Sequence, residues 1–231
     1  MKSILVRKLH RWLGIVFCLS ALVSSGSGVI HNVMSRTQTP PPPARPAGAV
    51  ALSAVKIAPI AVLARLPEGH KTNIQALNVR SIEGIPWYQV LIREQEKPVY
   101  VNAVTGVADA SQDEVYAAQI ASGFLGGMPV RKADYLTQFN REYLNIYRML
   151  PVYRFDADDG KGTRLYVSSL TGSVTRHTDD QRQLQSNIFS NFHKLAFIEN
   201  RQVRDLVLTT MTFGIFIVSL LGLVLFVIAR R

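Results

Sequence analysis

Two long apolar runs stand near the ends of this chain, and between them apolar and polar residues change places every few positions. From Trp12 to Met34 the run WLGIVFCLSALVSSGSGVIHNVM holds no Lys, Arg, Asp or Glu. From Leu206 to Ala229 the run LVLTTMTFGIFIVSLLGLVLFVIA holds no ionisable side chain. Each is long enough to cross a hydrocarbon core of roughly 30 Å, so the pattern predicts spanning helices over residues 12–34 and 206–229. The first run has an alternative. A basic start (Lys2, Arg7, Lys8, Arg11) followed by apolar residues and the small residues SSGSG is also the form of a secretory signal. Apolar character resumes at Val29-Ile30, and small residues are common where membrane helices pack, so retention as an anchor is the expectation.

The middle region carries an internal repeat. Pro-Trp-Tyr-Gln-Val at Pro86 to Val90 precedes Tyr-Val-Asn-Ala-Val-Thr-Gly at Tyr100 to Gly106. Pro-Val-Tyr-Arg-Phe at Pro151 to Phe155 precedes Tyr-Val-Ser-Ser-Leu-Thr-Gly at Tyr166 to Gly172. The offsets are 65 and 66 residues, reconciled by one inserted residue. Alternation in each block predicts a strand pair with one face buried, and the Thr-Gly pairs mark turns. The Asp156 to Gly162 stretch predicts a hairpin turn; it opens like a calcium loop but has Val167 at position 12, where such a loop needs a glutamate. Helical spacing is expected over Ala54 to Leu66 and Asp113 to Leu125, the latter capped by the Ser111, Asp113 and Glu114 cluster. Further strands are expected at Ile74 to Ser81 and near Tyr135 to Asn140. One helix-strand-strand-strand unit buries little by itself, so two packed units are expected.

The organisation that follows is a tail (1–11), a first spanning helix (12–34), a linker (35–50), two α+β units (51–109 and 110–178), an amphipathic connecting helix (179–205) and a second spanning helix (206–229). Four prolines at Pro40 to Pro43, then Pro46, make the linker an extended arm. Charge adds orientation. All 16 acidic residues lie between Arg36 and Asp205, whereas Lys2, Arg7, Lys8, Arg11, Arg230 and Arg231 lie outside without acidic company. The positive-inside bias then puts both termini in the cytoplasm and the middle in the periplasm of an inner membrane. The net charge of +10 is mostly this topology signal, and no basic stripe with interleaved aromatics points to nucleic acid. Cys18, the single cysteine, falls in the first apolar run, so no disulfide is expected. No Gly-x-Ser-x-Gly, His-Glu-x-x-His, Cys-x-x-Cys or phosphate-loop pattern occurs, so no catalytic or metal-ligating residue is singled out and an enzyme is not the first expectation.

The two Tyr-Val-x-x-x-Thr-Gly blocks resemble the PepSY domain, an α+β unit of about this length. Lys8 to Gly14 (Lys-Leu-His-Arg-Trp-Leu-Gly) and His193 to Leu195 resemble the helix-opening motifs of the PepSY-associated transmembrane family. The resemblance implies either a binding, inhibitory or chaperone-like module, or, from larger members with about four spans, a haem-containing reductase serving periplasmic iron complexes and iron uptake. This chain has two spans.

Haem would need axial imidazoles. His10 and His31 lie about 31 Å apart along a helix and within roughly 60° around it, so both are candidates to face one partner helix. They are equally suited to be interfacial side chains. His193 is a third candidate ligand, but about 20 Å outside the bilayer if its helix runs straight into the last span. A pair with His31 requires a bend near Glu199-Asn200-Arg201, or a homodimer pairs His31 with its own copy. His70 and His177 are expected to be solvated. The stripe Leu184, Ile188, Phe189, Phe192, Leu195 and Ala196 is expected to pack on the soluble region or lie at the membrane surface.

The expectation is an α+β protein with two tandem PepSY-like units between two transmembrane helices, acting as a binding or accessory module beside a membrane partner or as a homodimer. Trp87, Tyr88, Tyr100, Tyr153 and Tyr166 are the candidates for its binding face, with core packing as their alternative. The other functional expectation is a haem-carrying electron-transfer subunit using His10, His31 and His193.

Overall fold

The computed structural model describes residues 2–38 and 48–229. It divides into two compact units, a helical one from both chain ends and an α+β one between Pro40 and Asp180. The expected polyproline arm, Pro40 to Pro46, lies outside the described residues.

In the helical unit α1 (Lys2–Thr37) and α6 (Arg201–Ala229) pack along each other. At 1.5 Å per residue they are about 54 and 43 Å long, and both are long and apolar enough to cross a membrane. Their outer faces carry Trp12, Leu19, Phe213 and Leu223, each more than half exposed. A core helix of a water-soluble protein would bury such residues; lipid would cover them. The pair is antiparallel: His10 meets Gly222, Gly14 meets Val218 and Phe17 meets Gly214. A Cβ at Gly214 would overlap the Phe17 ring, so this glycine sets the closeness of the helices. The start of α1 and the end of α6 therefore lie at the same end of the pair. α5 (Asp180–His193) is a separate helix. The single connecting helix expected over residues 179–205 is broken between His193 and Arg201, where Leu195 takes a positive φ of 50° and Asn200 Oδ1 caps the new helix by accepting from the Gln202 and Val203 amides.

The α+β unit contains two antiparallel sheets. The first is β1 (Ile74–Ile82), β2 (Ile85–Ile92) and β3 (Val99–Asn102); the second is β4 (Val130–Leu136), β5 (Val152–Ala157), β6 (Arg164–Ser168) and β7 (Ser173–Thr178), each in sequential order. Short helices α2 (Pro59–Ala64) and α3 (Glu68–Lys71) precede the first sheet, and α4 (Gln112–Phe124) precedes the second. The expected helix over 54–66 is shorter because Pro59 stands at its first turn, where proline is favoured and its missing N–H costs nothing. The fourth strand begins at Val130 rather than near Tyr135, and β7 was not expected, its Ser-Val-Thr-Arg-His-Thr sequence being largely polar.

Repeat positions keep their pairing. Tyr88 lies opposite Val101 and Gln89 opposite Tyr100; Tyr153 lies opposite Val167 and Arg154 opposite Tyr166. The expectation of one buried face per hairpin is corrected, because both faces are covered. The Tyr88 face of the first sheet packs with Val62 of α2, and its other face, with Ile82, Trp87 and Tyr100, joins Tyr116, Ala117 and Ile120 of α4. The same α4 cluster takes Tyr153, Phe155, Leu165 and Val167 of the second sheet. One helix thus serves two sheets, and the buried cluster around it draws on both repeats. The remaining face of the second sheet, with Val152 and Tyr166, is covered by Tyr143, Tyr147 and Met149. Those residues belong to the excursion between β4 and β5; the corresponding link between β1 and β2 is the two-residue turn Glu83-Gly84, with φ of 51° and 79°.

Candidate functional site

Polar side chains gather where α5 packs on the later half of α1. Ser24, Ser27, His31 and Ser35 follow one another at helical spacing on α1 and meet Gln185, Phe189 and His193, spaced by four on α5. Gln185, only 7% exposed, donates to Ser35 Oγ at 2.6 Å and to the His31 carbonyl at 2.9 Å, with His31 Nδ1 at 3.0 Å. Its Oε1 accepts from the Gln38 amide. His193 Nδ1 lies 3.3 Å from both Ser24 Oγ and Ser27 Oγ. Phe189 is in ring contact with both histidines, its centroid 4.6 Å from each. Of the expected apolar stripe, Phe189 contacts α1 whereas Leu184 and Phe192 are more than half exposed, and the polar Gln185 and His193 accompany Phe189 on the α1 side.

The break before Arg201 brings His193 beside α1 and into the neighbourhood of His31, as a bent chain was expected to do. A haem iron held by two imidazoles takes one nitrogen on each face of the macrocycle. Here the Phe189 ring contacts both imidazoles, and each Nδ1 is engaged by α1 or α5 groups, so Nε2 is the nitrogen of each ring left for a ligand. His10 belongs to another contact: its Nδ1 lies 3.0 Å from the Val218 carbonyl and its ring packs at Gly222. His10 and His31 thus meet α6 and α5 respectively, not one partner helix.

In the α+β unit all five candidate binding-face aromatics are interior: Trp87, Tyr88, Tyr100, Tyr153 and Tyr166 are between 0 and 7% exposed. They hold the core instead of forming an open face, because α4, α2 and the 137–150 excursion cover both sides of each sheet. Their hydroxyls are tied down. Tyr88 donates to the Ile57 carbonyl at 2.6 Å, Tyr153 to Asp113 Oδ2 at 2.8 Å, Tyr100 to Asp113 Oδ1 at 3.1 Å, and Tyr166 to Glu142 Oε1 at 2.6 Å. Burial and then the Asp113 carboxylate push the Tyr100 and Tyr153 hydroxyls well above the ordinary tyrosine range. Burial, followed by Asp113 and Glu96, pushes Tyr135 up to about 12.

Asp113 is therefore no cap. It is 1% exposed and bridges a tyrosine from each sheet, and Ser111 hydrogen-bonds Asp109 without making a side-chain cap. Gln89 extends the network, its amide donating to Tyr100 Oη at 2.6 Å and to the Ser169 carbonyl at 2.8 Å. Sequence reasoning missed the roles of Asp113, Gln89, Glu142 and Gln185; for Asp113, Gln89 and Gln185 the signal was a polar residue falling at an apolar position of its helix or strand, and Glu142, in the bend after β4, gave none.

His70 and His177 are not simply solvated. His70 has a buried Nδ1, and His177 packs its ring 5.5 Å from that of Phe124. The Asp156–Gly162 stretch is a turn: Asp159 accepts from the Lys161 amide and the Thr163 hydroxyl, and these bonds outweigh burial to hold its carboxyl below its ordinary value. Among the described residues no three His, Cys, Asp or Glu side chains gather as a metal site.

These observations define an α+β protein whose domain is flanked by two helices able to span a membrane. In comparisons with known proteins, no family model, no curated protein and no solved structure matches the chain.

Proposed function

We propose that the protein is a membrane-anchored binding or accessory module of the PepSY type, presenting its α+β domain at the periplasmic surface of a bacterial inner membrane. The observation that carries this reading is the antiparallel packing of two long apolar helices, with the whole domain strung between them. The basic residues at both outer ends favour cytoplasmic termini and so support a domain on the outer side. The absence of a hydrolytic pattern in the sequence favours binding over catalysis. A domain tied at both ends stays with the membrane that anchors it, where a neighbouring membrane protein or an incoming ligand is met.

The test uses the full chain with Cys18→Ala and a single new cysteine at the exposed turn, Asp158→Cys. In intact cells permeabilised only at the outer membrane, a membrane-impermeant maleimide is expected to label it. Labelling only after lysis would overturn the topology. A redox-sensitive Soret band in the purified, haem-supplied full chain would replace the binding reading with electron transfer.

A further inference from the structure

A cavity of about 330 Å³ opens in the α+β unit between the end of α2, α3 and the outer side of β3. Its apolar wall is made by Val62, Leu66, Val99 and Val101, of which Val62, Leu66 and Val101 are buried. Two polar side chains complete it, Arg65 and His70. Both are donors lacking an acceptor. The Arg65 guanidinium makes no hydrogen bond or ion pair among the described residues. Gln95 Nε2 lies 2.8 Å from His70 Nε2, and an amide N–H donated there leaves the ring proton on Nδ1, which is buried and unpartnered. Nearby acids are spent elsewhere: Glu68 pairs with Lys71 at 2.6 Å, and Asp109 accepts from Ser111 and Gln112.

The Thr-Gly turn is part of this arrangement. Gly106 has a φ of +78°, and a Cβ there would lie 2.5 Å from Arg65 Nη1 and 2.8 Å from Ile57 Cδ1. A glycine at that position lets the guanidinium lie against the turn beside the cavity. A guanidinium with no acceptor of its own beside an apolar wall is suited to a carboxylate joined to a hydrocarbon tail. The volume stands at the small end of ligand sites, roughly 300–1,000 Å³, which favours a short molecule.

We infer that this cavity binds a small monocarboxylate with an apolar tail, its carboxylate on Arg65 and its tail against Val62, Leu66, Val99 and Val101. The inference names a ligand class for the binding-module reading, and its site is independent of the anchoring helices.

The experiment measures hexanoate, hexan-1-ol and hexylammonium binding to the full chain in lipid nanodiscs by saturation-transfer NMR, with empty nanodiscs as reference. Saturable hexanoate binding is expected, with hexanol and hexylammonium at least about tenfold weaker, as the loss of one charge-assisted hydrogen bond implies. Arg65→Gln, at an exposed position, should weaken hexanoate binding about tenfold or more while leaving the unfolding midpoint unchanged. Equal binding of acid and alcohol, no saturable hexanoate binding, or an undiminished affinity in Arg65→Gln would overturn the inference. Maleimide labelling at position 158 stands or falls separately, so a lost ligand and a lost topology are told apart.

Discussion

In the first sheet Tyr88 faces α2 and Tyr100 faces α4; at the same register in the second, Tyr153 faces α4 and Tyr166 faces the excursion after β4. Each first-strand tyrosine thus looks toward the helix of its own repeat, and each second-strand tyrosine toward whatever comes next. For the first repeat that is α4, shared with its neighbour. The second repeat has no following helix in this unit, and residues 137–150 take that place. Both second-strand hydroxyls end on a carboxylate, Asp113 or Glu142, but the former is 1% exposed and serves two tyrosines, whereas the Glu142 side chain is 22% exposed and also pairs with Arg164 at 2.9 Å. The seam between repeats is sealed more tightly than the outer cover.

High pH should break both halves. The hydroxyls of Tyr100, Tyr135, Tyr153 and Tyr166 are raised in the folded state, so the neutral form is favoured there. Their contribution is full below the unfolded value of ~10 and is lost as pH climbs toward 12 and beyond. Tyrosinate absorbance at these positions should appear together with loss of Trp87 fluorescence, in a Trp12→Phe background; ionisation well before unfolding would refute the buried network. Next comes Asp113→Ala, which strands two buried hydroxyls at the seam and should cost about 2–5 kcal/mol by guanidinium unfolding of the full chain. A loss confined to one sheet, read by hydrogen exchange, would show that the carboxylate does not join them.

Gly172→Ala sharpens the comparison of turns. Gly172 has a φ of +69°, and a Cβ there would lie 2.6 Å from the buried Tyr116 hydroxyl. The expected cost is about 1–3 kcal/mol. Gly106→Ala should fall at the lower end, because Arg65 is exposed and can withdraw. Smallest is Glu142→Gln, expected at about 1 kcal/mol or less, since the amide oxygen still accepts from Tyr166 and a partly solvated ion pair contributes little. A larger loss than from Asp113→Ala would reverse the ranking of seam and cover.

The sequence by itself determined what depends on local pattern. Uninterrupted apolar runs named both long helices, and the repeated Tyr-Val-x-x-x-Thr-Gly blocks named two equivalent hairpins, because side-chain period and turn chemistry are local. Only the tertiary structure decided how those elements cover one another. Alternation along β2 suggested one wet face, yet α2 and α4 cover both, so Trp87 and the four tyrosines proposed as a surface are interior. Asp113 reads as a helix cap in sequence, and becomes a bridge because Tyr100 and Tyr153 arrive from two different sheets. His193 reads as lying outside the membrane and is carried back to Ser24 by a break between Leu195 and Arg201. Burial and partnership are set by residues distant in the chain, and a local pattern holds no record of which distant residue will arrive.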